Sequence, residues 1–232
     1  LGLPLSVTDP NLVTTSATYD GFGRMKTITA PGDATPTLSI TYWDARIPFQ
    51  IDLTQTVNAS ASIRLSRFYD GAGRQIQTQT VGALVNGTLQ NVVMDTQYNN
   101  AGRLVKQSVP RQIANGTPVF STPQVFTPST TTTYDILGRT LSVTPPTGPE
   151  VTFSYDPLGN MLTASRGGAT MSLTYDKAGR KLTMDDPDMG DWSYVYNALG
   201  SMTSQTDARG CITNIAYDVL NRPTGKTYSN CP

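Results

Sequence analysis

Few residues in this 232-residue chain could do chemistry, and their types narrow the choice. There is no histidine, which removes Ser-His-Asp and Cys-His triads, imidazole metal sites and the commonest general base. Glu150 is the single glutamate, so any carboxylate pair must come from aspartates. Asp185, Asp186, Asp188 and Asp191 crowd into Asp185-Asp186-Pro187-Asp188-Met189-Gly190-Asp191, an oxygen-rich stretch of the kind calcium favours. No glutamate follows at the closing position of an EF-hand, and the stretch reads as a solvated turn. Cys211 and Cys231 leave two readings open: two free thiols, or a disulfide between neighbouring strands of an exported protein. Two cysteines without histidine argue against zinc. Asn58-Ala59-Ser60, Asn86-Gly87-Thr88 and Asn115-Gly116-Thr117 fit the glycosylation pattern, but such triplets recur by chance in a chain this rich in Thr and Asn. They read as turns. No cofactor is implied.

The bulk properties point the same way. Seventeen basic residues balance seventeen acidic ones, which gives no footprint for nucleic acid or an anionic membrane. No apolar run approaches the roughly 20 residues of a membrane span. Twenty Gly and 16 Pro suit many short strands joined by turns. The chain opens on Leu1-Gly2-Leu3-Pro4-Leu5, without Met or a basic leader, within a strand-like stretch. It reads as a fragment of a longer chain, so the missing leader says nothing about the parent.

The organising feature is a repeat. Tyr19-Asp20-Gly21-Phe22-Gly23-Arg24 recurs at Tyr69-Asp70 with Gly73-Arg74, Tyr134-Asp135 with Gly138-Arg139, and Tyr175-Asp176 with Gly179-Arg180. Near copies start at Tyr98-Asn99 (Gly102-Arg103), Tyr155-Asp156 (Gly159-Asn160), Tyr196-Asn197 (Gly200-Ser201) and Tyr217-Asp218 (Asn221-Arg222). A degenerate ninth sits at Tyr42-Trp43-Asp44-Ala45-Arg46. From Tyr134 the tyrosines step by 21, 20, 21 and 21 residues, whereas the earlier steps are 23, 27, 29 and 36. The chain is therefore one array over 1–232, regular at about 21 residues in 134–232 and irregular, with insertions, in 1–133. The 98–134 interval, with Pro110, Pro118, Pro123 and Pro128, reads as an extended loop.

Each unit reads as a β-hairpin. Residues before the tyrosines alternate: Val151, Phe153, Tyr155; Met171, Leu173, Tyr175; Trp192, Tyr194, Tyr196; Val92, Met94, Thr96, Tyr98. Period two with one apolar face is a half-buried strand. Ile76, Leu104, Leu141, Leu162 and Leu182 supply apolar residues after the turns. Asp or Asn at the start of the turn can bond its backbone N–H groups, and Gly three residues on permits the left-handed conformation of a turn closed by a G1 bulge. Asn221 stands where one Gly is lost, and Asn is the next most tolerant residue there. A lone hairpin is marginal in water, so the units must stack into an antiparallel sheet. Tyr and Arg would recur along it as ladders, with ring–guanidinium contacts worth on the order of 1 kcal/mol each. Those ladders could also form a sugar-binding platform, but packing the sheet accounts for them.

These phrases resemble the YD repeats of RHS proteins, insecticidal toxin complexes and teneurins. The resemblance runs from Leu3 to about Tyr228. It implies an all-β sheet that curves or spirals into a hollow shell, enclosing a toxic C-terminal segment in bacterial members and belonging to an adhesion receptor in teneurins. The family closes its shell with a core whose aspartate-dependent self-cleavage carries a DPxGL-like sequence. Asp156-Pro157-Leu158-Gly159 comes nearest here, but Asn160 follows instead of Leu and the phrase sits inside a repeat turn. Core and cargo are expected outside this chain.

The expected function is structural and non-enzymatic: a wall segment of a secreted or cell-surface bacterial shell around a toxin or effector. Its partners would be the remainder of its own chain, or neighbouring copies through the sheet edges. One alternative is an adhesion scaffold that contacts a cell-surface glycan or protein through loops at 81–91 and 110–130. Another is a filament or oligomer built through open edges.

Overall fold

A computed structural model describes residues 2–58, 61–85, 88–114, 116–122 and 124–231, with only the backbone described at 83–85 and 88–89. No described residue is helical. The three glycosylation-like triplets each include residues outside the described set.

The chain forms two compact units, Leu1–Thr130 and Thr131–Pro232. The first holds β1 (Ser6–Thr8), β2 (Thr14–Tyr19), β3 (Met25–Thr29), β4 (Leu38–Trp43), β5 (Phe49–Asn58), β6 (Ala61–Tyr69), β7 (Gln75–Val85), β8 (Thr88–Tyr98), β9 (Leu104–Ser108) and β10 (Arg111–Ala114). The second holds most of β11 (Ser129–Tyr134), whose first two residues belong to the first unit, and β12 (Thr140–Thr144), β13 (Val151–Tyr155), β14 (Met161–Arg166), β15 (Ala169–Tyr175), β16 (Lys181–Asp186), β17 (Gly190–Tyr196), β18 (Met202–Thr206), β19 (Ile212–Tyr217) and β20 (Pro223–Ser229). The fold is all-β and antiparallel, as the hairpin repeat requires.

In the second unit each strand pairs with the next, from β11 to β20. Alternation separates two faces. Leu173 pairs with Met184, and Met184 with Trp192, on the apolar face, where Leu173 and Met184 are buried. On the other face, hydroxyls meet across the strands: Ser154 with Thr163 at 2.6 Å and Thr133 with Ser142 at 2.8 Å. Leu141, Leu162 and Leu182, expected to pack just after the turns, are instead exposed.

In the first unit β1 to β8 also form a meander. Strand β8 then pairs with both β10, through Gln90–Val93, and β9, through Thr96–Tyr98. The insertion around 81–91 is largely strand, because β7 and β8 extend into it; residues 86 and 87 at its tip lie outside the described set.

The core of this unit departs from the sequence expectation. Alternation assigned Val92 and Met94 to the buried face, yet both are half-buried, and the deeper residues are Asn91, Val93 and Asp95. Gln50, Asp52, Ser66, Phe68, Gln77 and Gln79 are buried beside them. The cause is the segment at 116–128, which lies within the 110–130 stretch that the sequence offers as a contact loop; the ends of that stretch are strand, in β10 and the start of β11. The segment's described residues lie across this face as a strap. Gln79 Nε2 donates to Val119 O at 2.6 Å and Gln77 Nε2 to Ser121 O at 3.1 Å, while the Val125 N–H donates to Asp95 Oδ2 at 3.0 Å. Buried polar side chains are tolerated when hydrogen-bonded, and the strap backbone supplies the partners.

Gly179 stands at φ 76°, and an added Cβ would lie 3.2 Å from Asn160 Oδ1. Gly179→Val is therefore expected to cost about 1–3 kcal/mol, since a β-branched residue is strained at positive φ. Urea unfolding of the variant checks this, and an unchanged midpoint would refute the turn assignment.

Candidate functional site

The repeated phrase builds one local structure many times. Each tyrosine ends a strand: Tyr19, Tyr69, Tyr98, Tyr134, Tyr155, Tyr175, Tyr196 and Tyr217 close β2, β6, β8, β11, β13, β15, β17 and β19. At each of them the strand register slips by a residue. In the turn after Tyr175, the Asp176 N–H donates to Arg180 O at 2.9 Å and the Gly179 N–H to Asp176 O at 3.0 Å. Asp176 Oδ1 accepts from the N–H groups of Ala178 and Arg180, and Oδ2 from Arg180 Nε at 2.6 Å. One carboxylate thus fills three donors that a tight turn would otherwise leave to water. The backbone bonds recur at Asp20, Asp70, Asn99, Asp135, Asp156, Asn197 and Asp218. Gly23, Gly73, Gly102, Gly138, Gly159 and Gly200 all take positive φ, and Asn221 does so at 61°.

The tyrosines and arginines tie each turn to the next. Arg139 lies 4.7 Å over the Tyr155 ring, its Nη1 donates to Asp156 O at 3.0 Å, and Tyr155 Oη donates back to Thr140 O at 2.9 Å. Arg180 does the same with Tyr196 at 5.1 Å and Asn197 O at 3.0 Å, and Tyr196 Oη reaches Lys181 O. In the first unit Arg74 stacks on Tyr98, and Tyr98 Oη donates to Gln75 O at 3.0 Å. The degenerate phrase joins the ladder without adopting the turn. Arg24 stacks on Tyr42 at 4.0 Å and pairs with Asp44, but the backbone closes from the Arg46 N–H to Trp43 O. Where arginine is replaced, polar contacts still bridge: Asn221 Nδ2 donates to Ser201 Oγ at 2.6 Å.

Residues 134–171 match the family described as RHS Repeat. The chain carries an RHS repeat. Solved structures similar to it include TcdB2-TccC3, at 17% identity over 95% of this chain and 15% of that one, with a TM-score of 0.45. TcdB2-TccC3-Cdc42 is 13% identical over 98% of this chain and 20% of that one, with a TM-score of 0.45. The Photorhabdus luminescens Tc holotoxin pore is 15% identical over 94% of this chain and 14% of that one, with a TM-score of 0.39. This chain therefore spans a fifth or less of the length of these structures. Comparison with curated proteins gives no match.

Two further turns use the same device without the tyrosine. Asp207 accepts from the Arg209 and Cys211 N–H groups, with Gly210 at φ 80°. Asp9 caps Asn11 and Val13, with Leu12 at φ 64°. Neither turn carries the Tyr-Asp phrase; Asp with Gly three residues later marks Asp207 in the sequence, but Leu12 offers no such signal. Asp185, Asp186, Asp188 and Asp191 lie at the β16–β17 turn, where Asp186 Oδ1 accepts from the Asp188 and Met189 N–H groups. Among the described residues no three acidic or cysteine side chains gather as a metal site. Asp156 caps its own turn through Asn160. Cys211 and Cys231 are joined in a disulfide that ties the chain just beyond β20 to the Asp207 turn.

Arg180→Ala removes a stack and a charged donor and is expected to cost about 1–2 kcal/mol. A double-mutant cycle with Tyr196→Ala should return a coupling of roughly 0.5–1 kcal/mol, and a coupling of zero would refute the ladder. The Asp176 carboxyl is held below its usual range by the Arg180 N–H and, with it, the guanidinium, against some desolvation; Arg74 does the same for Asp70 through its guanidinium first. A depressed folded pKa stabilises fully above the unfolded value and is lost as pH falls, so the melting temperature should drop below about pH 4. Asp176→Asn should make that drop shallower. The disulfide closes a separation of 20 residues. Its reduction should lower stability by about 3 kcal/mol and speed hydrogen exchange in β20 before other strands.

Proposed function

We propose that this chain is a wall segment of a secreted RHS-type shell, one repeat array within a longer protein, which encloses a toxin or effector carried by that protein. The observation that carries the reading is the turn-to-turn ladder. The chemistry that recurs, tyrosine hydroxyl, carboxylate and guanidinium, is spent on holding each hairpin to its neighbour. A side chain committed in this way builds a surface rather than a catalytic centre, so the segment acts without catalysis. The wall works physically: it keeps proteases and bulk solvent from an enclosed polypeptide and hinders its premature folding. The Cys211–Cys231 disulfide supports an oxidising, extracytoplasmic setting.

Limited proteolysis of the natural full-length chain tests enclosure. A polypeptide inside the wall is expected to survive while the array is folded. It should be degraded once Gly179→Val and Arg180→Ala together open the wall. Equal degradation in both states would overturn the reading.

A second reading rests on the strand edges. Among the described strands, β1 pairs only with β2 and β20 only with β19, and an unpaired edge is a template for another chain. Light scattering of the 232-residue chain over a concentration series separates the two: growth into rods favours assembly, and a constant monomer favours the wall.

A further inference from the structure

The strap over the first unit makes an unusual kind of contact. It is held mainly through its own main chain, with two side-chain bonds beside it: Gln124 Nε2 donates to Ile76 O at 2.6 Å, and Ser121 Oγ accepts from Arg111 Nη2 at 3.2 Å. Beyond the bonds already described, Asn91 Nδ2 donates to Gly116 O at 3.1 Å and the Ser121 N–H to Gln77 Oε1 at 2.8 Å. The apolar anchor is Phe120, whose ring meets that of Phe68 at 5.8 Å. A primary amide carries one donor face and one acceptor, the same pair a peptide group offers. A floor of glutamine and asparagine side chains therefore matches an extended backbone while taking little account of its side chains.

The floor cannot stand bare cheaply once covered, because each buried amide left without a partner costs about 1–3 kcal/mol. The strap leaves part of that demand unmet. Among the described residues, Gln79 Oε1 and Asn91 Oδ1 are buried and accept no hydrogen bond. Pro118, which lies over this floor, has no N–H to offer. Beside Phe120 a cavity of about 230 Å³, lined by Arg46, Phe68 and Val119 among others, leaves room for a larger ring.

We propose that the face formed by β5 to β8 is a peptide-binding track. It grips an extended polypeptide by its main chain, with one large aromatic residue as anchor, and the strap occupies it in cis. The strap is an imperfect occupant. A peptide that donates N–H groups to the two idle acceptors and fills the space beside Phe120 displaces it. This inference does not depend on the wall reading; it holds whether or not the array encloses anything.

The test uses the whole 232-residue chain and a fluorescent peptide with the sequence of residues 116–126, read by anisotropy. The Phe120→Ala chain, whose strap has lost its anchor, is expected to bind the peptide saturably, while the unaltered chain binds it at least 10-fold more weakly. N-methylation of the peptide at the positions of Ser121 and Val125 should weaken binding at least 10-fold. A peptide with Trp in place of Phe should bind at least as tightly as the parent. Absence of saturable binding to the Phe120→Ala chain, or indifference to N-methylation, would overturn the proposal. Hydrogen exchange on the unaltered chain provides an arm that needs no variant. The Ser121 and Val125 amides should exchange by local opening, well ahead of those in β6 and β7. If all of them exchange together, the strap does not lift and the track is never free.

Discussion

A carboxylate that accepts several hydrogen bonds at once sets the geometry on which the repeat depends. In the turn after Tyr175, Asp176 fixes two backbone N–H groups and the Arg180 Nε. With the guanidinium held at that edge, Nη1 is presented to the carbonyl of Asn197 in the following turn. Without the cap, arginine is a long, mobile side chain, and an exposed ion pair of this type contributes little by itself. With it, the arginine becomes a spacer of fixed length between hairpins. The tyrosine hydroxyl donates in the reverse direction, to the residue that follows the arginine. Each hairpin is thereby positioned by two bonds of opposite sense, in addition to the strand ladder.

The turn device outlives its consensus. Asn99 and Asn197 cap with a single oxygen, Asn221 takes the left-handed position, and Asn160 replaces the guanidinium with an amide that bonds Asp156 Oδ2. Each substitution keeps the backbone arrangement of the turn. Reading from Tyr42 shows the reverse case: the ladder contacts are kept, while the turn beyond is closed differently. The two functions of the phrase, turning the chain and linking the turns, are separable.

This separability explains what was legible beforehand. The period, the hairpins and the left-handed turn positions follow from residue types a few places apart, where local rules are strong. The strap does not, because most of its partners lie 25 or more residues away, and Gln77 with Ser121 and Gln79 with Val119 lie 44 and 40 apart. A proline-rich stretch announces irregular backbone but not where that backbone will lie. Once it covers β5 to β8, the hydrophobic pattern stops being a guide. Gln50 and Asp52 are buried because amide, hydroxyl, indole and guanidinium donors surround them. Burial raises the Asp52 carboxyl pKa, but those donors, Ser66 foremost, bring it below the ordinary range. For the two cysteines the sequence leaves both free thiols and a disulfide open, since nothing local in Cys211 or Cys231 states that β20 brings them together.

The disulfide has a mechanical meaning as well. A meander of antiparallel hairpins pulled along its chain opens like a zipper, one pair of strands after another, so each hairpin released lengthens the tether at low force. The link between Cys211 and Cys231 spans 20 residues. Fully drawn out, that stretch would yield about 70 Å of slack. While the bond is intact this length stays in reserve, and tension arriving from the C-terminal side passes directly to the Asp207 turn without first unravelling the last hairpin.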